Sequence, residues 1–299
     1  GLFIKVMEKS IPVNLLNLLE NWYSSGQTCV KWGYVLSGFF NLYCGVRQGG
    51  VLSPYLFAVY IDSVVDKIKQ QQSIGCHINF VCVSILLYAD DIILLAPSVT
   101  ALQQLLYICE TELNWLDMAI NASKSACMRI GPQYRAECAC ITTLDGRDLQ
   151  WVNNLRYLGI YLVSANAFSC TFDNNKRSFY RSLNSILGKV GRVASQEVVV
   201  QLVKTKCLPS LLYGLDVCPV NNKQTKSLDF AITSSFRKIF DTKSADIVKE
   251  CMDAFNCLST SAAVIRKKCK FLVKYSSLID NGLCQLFSAV ATKERLMMT

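Results

Sequence analysis

The sequence lacks the closely spaced cysteine and histidine pairs from which most protein zinc sites are built. It contains a single histidine, His77, and its 15 cysteines include no C-x-x-C pair. Because structural zinc sites draw on closely spaced cysteine and histidine pairs, this spacing argues against zinc binding. Most of the cysteines, including Cys82, Cys109 and Cys207, lie inside apolar runs, which is typical of reduced thiols that act as small core residues.

Long apolar runs are also missing. The most apolar segment, residues 80–95, is interrupted by Asp90 and Asp91, and no run reaches the roughly 18–20 residues that span a bilayer. We therefore predict no membrane span. The start of the chain lacks a basic segment followed by an apolar one, so we expect an intracellular, reducing location. Because the chain begins at Gly1 and enters an amphipathic pattern directly, we interpret it as a piece of a longer protein.

The sequence is rich in hydrophobic residues, and its charged residues are unevenly distributed. Hydrophobic residues make up 52% of the 299 residues, enough for one large domain or two moderate ones. Residues 1–150 carry 10 Lys and Arg against 12 Asp and Glu, whereas residues 151–299 carry 21 against 10, a net charge of +11. The second half could therefore hold a polyanion, although an ordinary solvated lysine surface has the same composition.

Asp90 and Asp91 are the centre of the most informative segment. They lie between two runs of leucine and β-branched residues, 85–88 and 92–95, which predict two buried strands joined by a tight turn. Two charges at the tip of a buried hairpin are costly unless they are compensated, and a divalent cation compensates carboxylates directly. The alternative is a solvated Asp-Asp turn.

A glycine-rich loop, residues 45–54, precedes a predicted helix. Ser53 is a suitable N-cap and Pro54 a suitable first helical residue. The glycines would let a ligand approach the backbone, and Gln48 could form hydrogen bonds with a base or sugar. Such loops also occur without any bound phosphate. The apolar face of the helix comprises Phe57, Tyr60, Ile61, Val64 and Ile68.

Periodicity predicts a mixed first half and a helical second half. We predict helices over 2–9 and 13–23, short strands over 27–44, and a helix that starts after Ser98. We also predict strands over 126–130 and 155–162. Beyond these, we predict helices over 173–190, 196–214, 224–240, 245–257 and 260–290.

Four motifs occur in an order and spacing that resembles the reverse transcriptase of non-LTR (LINE-type) retrotransposons. They are residues 47–57 (RQGGVLSPYLF), 88–91 (YADD), 121–125 (NASKS) and 157–159 (YLG). The resemblance covers most of residues 1–162. It implies an α+β fold in which an incomplete right-hand polymerase palm, with the end of the fingers, occupies residues 1–162. Residues 163–299 are similar in composition and helical character to the thumb and C-terminal region of the family.

By this resemblance the protein is an RNA-directed DNA polymerase that extends a DNA primer on an RNA template. Its cofactors would be Mg²⁺ or Mn²⁺ and its substrates deoxynucleoside triphosphates. Asp90 and Asp91 would be the catalytic metal ligands, with Tyr88 and Ala89 near the primer end. Lys124 would neutralise or protonate the leaving pyrophosphate, although it could equally be a solvated lysine at the start of a strand.

The resemblance also assigns residues that contact template, nucleotide and primer. The primer grip would be formed by Tyr157, Leu158 and Gly159, for which a buried strand with a glycine bend is the alternative. Gly50 departs from the family pattern, which more often has a small polar residue there. The template and nucleotide contacts would come from Arg47, Gln48, Gly49, Gly50, Ser53 and Pro54.

One departure from the family pattern bears on activity. The family has a further catalytic aspartate in a strand that precedes the first helix, but here no aspartate occurs before Asp62. We therefore expect this chain alone to be weakly active or inactive. A non-catalytic remnant that binds an RNA–DNA hybrid through its basic half is the first alternative. A nucleotidyl cyclase, which shares an acidic hairpin, is disfavoured by the loop at 47–54 and the basic helical tail.

Overall fold

The chain divides into two compact units, each held together by contacts among its own residues. The structure is a computed structural model that describes residues 2–9, 11–42, 45, 49–190, 193–278 and 281–298. One unit comprises residues 1–126 and 138–150, and the other comprises residues 127–137 and 151–299. The assignment of residues 1–162 to a palm and 163–299 to a thumb is a statement about family architecture and stays a prediction.

Short strands and four helices make up the described residues as far as Trp151. The helices are α1 (Leu2–Glu8), α2 (Val13–Ser24), α3 (Ser53–Lys69) and α4 (Val99–Trp115). The strands are β1 (Gln27–Thr28), β2 (Lys31–Trp32), β3 (Val35–Leu36), β4 (Phe40–Asn41), β5 (His77–Ile78), β6 (Val81–Cys82), β7 (Ile85–Tyr88), β8 (Asp91–Leu94), β9 (Ala126–Cys127), β10 (Ile141–Thr142) and β11 (Asp148–Trp151). The antiparallel pairs are β1–β4, β2–β3, β5–β6, β7–β8 and β10–β11. The predicted α+β class is confirmed at this level.

Helix α3 packs in two directions, whereas its sequence predicted a single apolar face. Ile61, Val64 and Ile68 are buried against α4 and β7, whereas Leu56 and Val59 are buried against α1 and α2. The predicted start of this helix was one residue wrong. Ser53 is the first helical residue rather than the N-cap, and its side chain is buried. Pro54 follows it in the first turn.

Helix α4 begins directly after Ser98, as predicted, and the Ser98 hydroxyl caps it by accepting a hydrogen bond from the Ala101 amide. Its apolar face lies in the same cluster as β7, and its polar face holds the β10–β11 hairpin. The Gln103 side chain donates to the Thr142 carbonyl at 2.7 Å and accepts from the Thr142 amide at 2.8 Å. Further along the helix, the buried Glu110 carboxylate accepts from the Leu144 amide at 2.7 Å. Helix α4 therefore contacts both hairpins.

Strands and then helices make up the described residues beyond Trp151. The strands β12 (Asn154–Tyr157), β13 (Ile160–Val163) and β14 (Ser169–Thr171) form one antiparallel sheet in that order. The helices are α5 (Asp173–Val190), α6 (Gln196–Leu202), a π-helical segment (Val203–Cys207), α7 (Leu208–Leu211), α8 (Asn222–Ile239), α9 (Ala245–Ala254), α10 (Thr260–Ser277), α11 (Gly282–Leu286) and α12 (Ser288–Leu296). Phe179, Leu183, Leu211 and Phe236 are fully buried in the core that these elements share.

Three predicted elements of the second half are wrong in extent. The strand predicted over 155–162 is a hairpin, because Leu158 and Gly159 both have positive φ and reverse the chain. The helix predicted over 196–214 contains the π-helical segment. Pro209 explains this interruption, because proline lacks an N–H and its ring crowds the carbonyl four residues earlier. The helix predicted over 260–290 ends at Ser277, and the Asn281 side chain caps the start of the next one.

Two of the three cysteines that the sequence places in the core are buried, whereas Cys82 is only partly buried. Cys109 and Cys207 are buried, and burial raises the pKa of the Cys109 thiol to about 12. Burial likewise raises the pKa of Cys218 to about 12, and its sulfur lies 3.0 Å from that of Cys170. Within the ranges that the structure describes, no helix is long and apolar enough to cross a membrane.

Candidate functional site

The two aspartates lie at the tip of the β7–β8 hairpin. The register pairs Ile85 with Leu94 and Tyr88 with Asp91, so that Ala89 and Asp90 form a two-residue turn. The strands and the tight turn are therefore confirmed. Ala89 has a φ of +53°, a left-handed conformation that residues with a side chain rarely adopt.

The alternation of side chains along the hairpin decides which way Asp91 faces. Ile85 and Leu87 pack against the α3–α4 core together with their cross-strand partners Ile92 and Leu94. Because successive residues of a strand point to opposite faces, Tyr88 and Asp91 lie on the face away from that core. The apolar run thus anchors the hairpin and leaves its acidic end in solvent.

Both carboxylates are exposed, which corrects one step of the sequence interpretation. Asp90 and Asp91 lie in solvent, and Tyr88 beside them is 61% exposed. Desolvation therefore does not require a cation to compensate their charge. Instead, the site is defined by two adjacent carboxylates that form no hydrogen bond or ion pair with any described residue.

The chemistry of these carboxylates suits a divalent cation, but they are only part of a ligand set. Hard cations such as Mg²⁺ take about six oxygen ligands, and both aspartates can supply oxygens without breaking an existing contact. Across the described ranges, no group of three or more His, Cys, Asp or Glu side chains is arranged to hold a metal ion. Asp90 and Asp91 therefore fit a cation as two of several ligands.

Part of the predicted template loop can be placed. Arg47 and Gln48 lie outside the described residues. Gly49 has a φ of +82° with open space where a Cβ would be, and Gly50 leads into the first turn of α3. Since α3 also packs against β7, the helix connects this loop to the aspartate hairpin within one unit.

Lys124 lies in the same unit, in a turn made by its own segment. The Asn121 side chain accepts hydrogen bonds from the Lys124 amide at 3.2 Å and from the Ser123 hydroxyl at 2.7 Å. The Lys124 side chain is exposed, and its ammonium has no hydrogen-bond partner in the described part of the chain. A contact with pyrophosphate and a solvated surface lysine both fit this geometry.

The predicted primer grip lies in the second unit. Tyr157 ends β12, and Leu158 and Gly159 form the turn to β13 with φ values of +46° and +81°. Positive φ at both central residues is the geometry of a type I′ hairpin turn. The segment is therefore the tip of a hairpin with a bend at Gly159, and its role as a primer grip stays a prediction.

Sequence reasoning missed one residue that contacts this turn. The Tyr213 hydroxyl donates a hydrogen bond to the Leu158 carbonyl at 2.8 Å. Tyr213 follows α7 and precedes Gly214, which has a φ of +77°. A glycine just after a helix is a recognisable C-terminal feature, but nothing in the sequence connects it to a hairpin 55 residues earlier.

Comparisons with known proteins cover the first half of the chain and beyond. The family model described as "Reverse transcriptase (RNA-dependent DNA polymerase)" matches residues 4–162, which include the β7–β8 hairpin. A protein of Popillia japonica named "Retrovirus-related Pol polyprotein from type-1 retrotransposable element R2" is 28% identical over 207 residues, 66% of this chain and 32% of that protein.

Two further relatives agree with the first. A second protein of the same name from Popillia japonica is 24% identical over 205 residues, 65% of this chain and 27% of that protein. A Drosophila melanogaster "Retrovirus-related Pol polyprotein from type-2 retrotransposable element R2DM" is 25% identical over 169 residues, 53% of this chain and 16% of that protein. The chain thus spans about a third or less of the length of these relatives.

Proposed function

The chain belongs to the reverse transcriptase (RNA-dependent DNA polymerase) family, and on this premise we propose that it carries the hairpin part of the polymerase site of a non-LTR retrotransposon. The observation that carries the proposal is the exposed pair Asp90 and Asp91 at the tip of β7–β8, inside the matched residues. The names of the relatives, which refer to R2 retrotransposable elements, support the type of element.

The reaction is a nucleotidyl transfer to the 3′ end of a DNA primer paired to an RNA template. The primer 3′-hydroxyl gives up its proton to water, and its oxygen forms a bond to the α-phosphorus of a deoxynucleoside triphosphate. The bond from that phosphorus to the oxygen that bridges the α- and β-phosphates breaks, which releases pyrophosphate. The protein contributes mainly positioning and neutralisation of charge. Divalent cations, Mg²⁺ or Mn²⁺, when bound stabilise the charge on the attacking and leaving oxygens.

Asp90 and Asp91 would hold the cations through their carboxylate oxygens, which form no hydrogen bond or ion pair with any described residue. The core contacts of Ile85, Leu87 and Ile92 support the hairpin, so the two carboxylates are presented from a fixed base. Because these aspartates are two ligands of a site that needs several, we propose that this chain alone supports little or no primer extension.

The remaining predicted residues take the roles that the family resemblance assigns to them. Tyr88 shares its face of the hairpin with Asp91 and would contact the primer end. Lys124 would meet the leaving pyrophosphate with its ammonium. The loop of Arg47, Gln48, Gly49 and Gly50, continuing into Ser53 and Pro54, would contact template and nucleotide. The turn at Leu158–Gly159 would hold the primer strand, with residues 1–162 acting as palm and residues 163–299 as thumb.

Metal binding tests the proposal without requiring turnover. We would measure free Mn²⁺ by electron paramagnetic resonance in the presence of the chain, a poly(rA)–oligo(dT) template–primer and dTTP. Asp90→Asn and Asp91→Asn should each weaken Mn²⁺ binding by about tenfold or more, since changing residues that merely support ligands already costs 10–100-fold. Asp117→Asn, an exposed aspartate of the same unit, is the control and should bind Mn²⁺ as the wild type does. Equal Mn²⁺ binding by all four proteins would contradict the assignment of the hairpin.

Primer extension on the same template–primer tests the level of activity. We expect little or no product from the 299-residue chain, and any product should disappear in Asp90→Asn. Robust extension by the wild-type chain would show that the expected inactivity is wrong while supporting the polymerase assignment.

A non-catalytic role in binding RNA–DNA hybrids is the second candidate. The net charge of +11 over residues 151–299 favours it, as does a row of exposed basic residues on α10, Arg266, Lys270 and Lys274. Binding of this kind should weaken steeply with added salt and should survive Asp90→Ala. Hybrid binding that is absent, or that does not depend on salt, would remove this candidate.

A further inference from the structure

Tyr213 contacts the Leu158–Gly159 turn in two ways. Its hydroxyl donates to the Leu158 carbonyl at 2.8 Å, and its ring lies over Gly159. A Cβ at Gly159 would come within 3.1 Å of the ring carbon Cε1 of Tyr213, which is closer than side chains normally pack. The turn therefore accepts this ring because residue 159 is glycine.

A second contact of the same kind joins the next residue of each segment, Ile160 after Gly159 and Gly214 after Tyr213. A Cβ at Gly214 would lie 3.0 Å from both Cγ1 and Cδ1 of Ile160, so Gly214 leaves room for that side chain. Each segment thus presents a large side chain to a glycine of the other: Tyr213 to Gly159, and Ile160 to Gly214. Both glycines also have positive φ, so any substitution there meets a conformational as well as a steric obstacle.

The segment that carries Tyr213 is itself held from two helices. The Asn175 side chain of α5 donates to the Tyr213 carbonyl at 3.0 Å. The Lys267 ammonium of α10 donates to the Leu212 carbonyl at 2.8 Å. These donors satisfy carbonyls at the C-terminal end of α7, which lack partners within the helix. The hydroxyl of Tyr213 is consequently presented from a fixed position.

The turn needs such support because of its own backbone. Leu158 has a φ of +46°, which is unfavourable for a residue with a Cβ. The side chain of Tyr213 is 50% exposed, so burial alone does not explain its place. The hydrogen bond to the Leu158 carbonyl is the contact that fixes the orientation of this peptide group.

We propose that Tyr213 is a positioning residue that holds the Leu158–Gly159 turn in the shape with which it meets the 3′ end of a primer strand. This role rests on the proposed function, in which the turn is the primer grip. Tyr213 acts through the turn and is not itself assigned a contact with the reacting atoms.

Hydrogen exchange tests the structural half of the proposal in the full chain. Tyr213→Phe removes one hydroxyl and keeps the ring over Gly159. Losing a hydrogen bond worth about 1 kcal/mol should speed amide exchange in residues 154–163 by about fivefold. Tyr180→Phe is the matched control, because the Tyr180 hydroxyl has no hydrogen-bond partner among the described residues and the residue lies in the same unit. Equal exchange of this peptide in both variants and the wild type would overturn the proposal.

Binding to two DNA–RNA hybrids tests the functional half and separates it from the proposed function. One hybrid has a recessed primer 3′ end on an RNA template, and the other has the same paired length with a blunt end. The wild type and Tyr180→Phe should prefer the recessed end, and Tyr213→Phe should lose that preference while binding the blunt hybrid unchanged. If the wild type prefers the recessed end and Tyr213→Phe retains the preference, the inference is wrong and the proposed function stands. If the wild type binds neither hybrid, the proposed function fails, and with it the role of Tyr213 toward the primer.

Discussion

Ala89 adopts a left-handed backbone conformation, which is unfavourable for a residue with a Cβ. It is the first residue of the turn between the paired Tyr88 and Asp91, and its φ is +53°. Conformations of this kind cost a residue with a Cβ about 1–3 kcal/mol and persist only where the surrounding structure holds them. Here the core contacts of β7 and β8 hold Ala89 in this conformation. The resulting turn brings Asp90 and Asp91 to the tip of the hairpin.

Replacing Ala89 with glycine should therefore stabilise the protein. Glycine has no Cβ to clash at positive φ, and we expect the free energy of unfolding to rise by about 1 kcal/mol after its greater chain entropy is included. The measurement is the urea midpoint of the unit that contains the hairpin. Ala58→Gly, on the exposed side of α3, is the matched control and should instead lose about 1 kcal/mol. Shifts of the same sign in both variants would show that the turn is not strained.

Some features of single residues were predictable from the sequence, and others were not. The position of Asp90 and Asp91 at a hairpin tip was predictable, since two apolar runs flank a polar pair. The positive φ of Ala89 was not, because alanine is not a residue that turn chemistry marks. Nor was the role of Tyr213, whose partner Leu158 is distant in the sequence and contacts it through a backbone carbonyl.

At the scale of elements, α4 connects the aspartate hairpin to a second hairpin. Its apolar side, which includes Leu105 and Cys109, lies in one buried cluster with residues of β7 and β8. Its polar side pairs Gln103 with both backbone groups of Thr142, as a neighbouring strand would. A helix held in this way on two sides gives β7–β8 a firm base, which a site that orients metal ligands requires.

Gln103→Met should loosen that arrangement while keeping the length of the side chain. It removes two hydrogen bonds and leaves the Thr142 backbone groups without the partner they now have, so we expect a loss of about 1–3 kcal/mol in the free energy of unfolding. Gln104→Met is the control, because the neighbouring Gln104 is exposed and forms no hydrogen bond with a described residue. Urea denaturation of both variants measures the difference, and an equal effect in the two would show that the Thr142 contact contributes nothing.

The elements themselves were predictable where periodicity alone determines them. Helices α1 and α2 follow from apolar spacing and end within one residue of their predicted bounds, and α3 and α4 begin within one residue of their predicted starts. The helical character of the second half follows from the same spacing, but two of its helices differ from the prediction in extent. The predicted strand over 155–162 failed because Leu158 is an apolar residue in a turn, which the alternation pattern does not distinguish from a residue within a strand. The helix predicted over 260–290 failed because Asn281 and Gly282 favour an interruption even though apolar residues continue beyond them.

At the scale of the whole chain, charge separates the two halves more clearly than apolar content does. The first 150 residues carry a small net negative charge, and the remaining residues carry a net charge of +11. Some of the basic side chains of α10 are already engaged, since Lys267 donates to Leu212 and Lys268 pairs with Glu294. The exposed basic residues of this helix are the ones free to meet phosphates.

Arg266, Lys270 and Lys274 follow one another at intervals of four and therefore share one face of α10. A row with this spacing suits a nucleic-acid backbone. Replacing all three with glutamine should weaken binding to an RNA–DNA hybrid and flatten the slope of log K against log salt by about 2–3, since each phosphate that a basic side chain neutralises adds roughly 0.9 to that slope. Fluorescence anisotropy across a salt series measures both quantities. The control changes Lys31, Lys69 and Lys249 to glutamine, which removes the same charge from exposed positions that do not form a row. If the slope flattens equally in the two triple variants, net charge rather than the face of α10 governs binding.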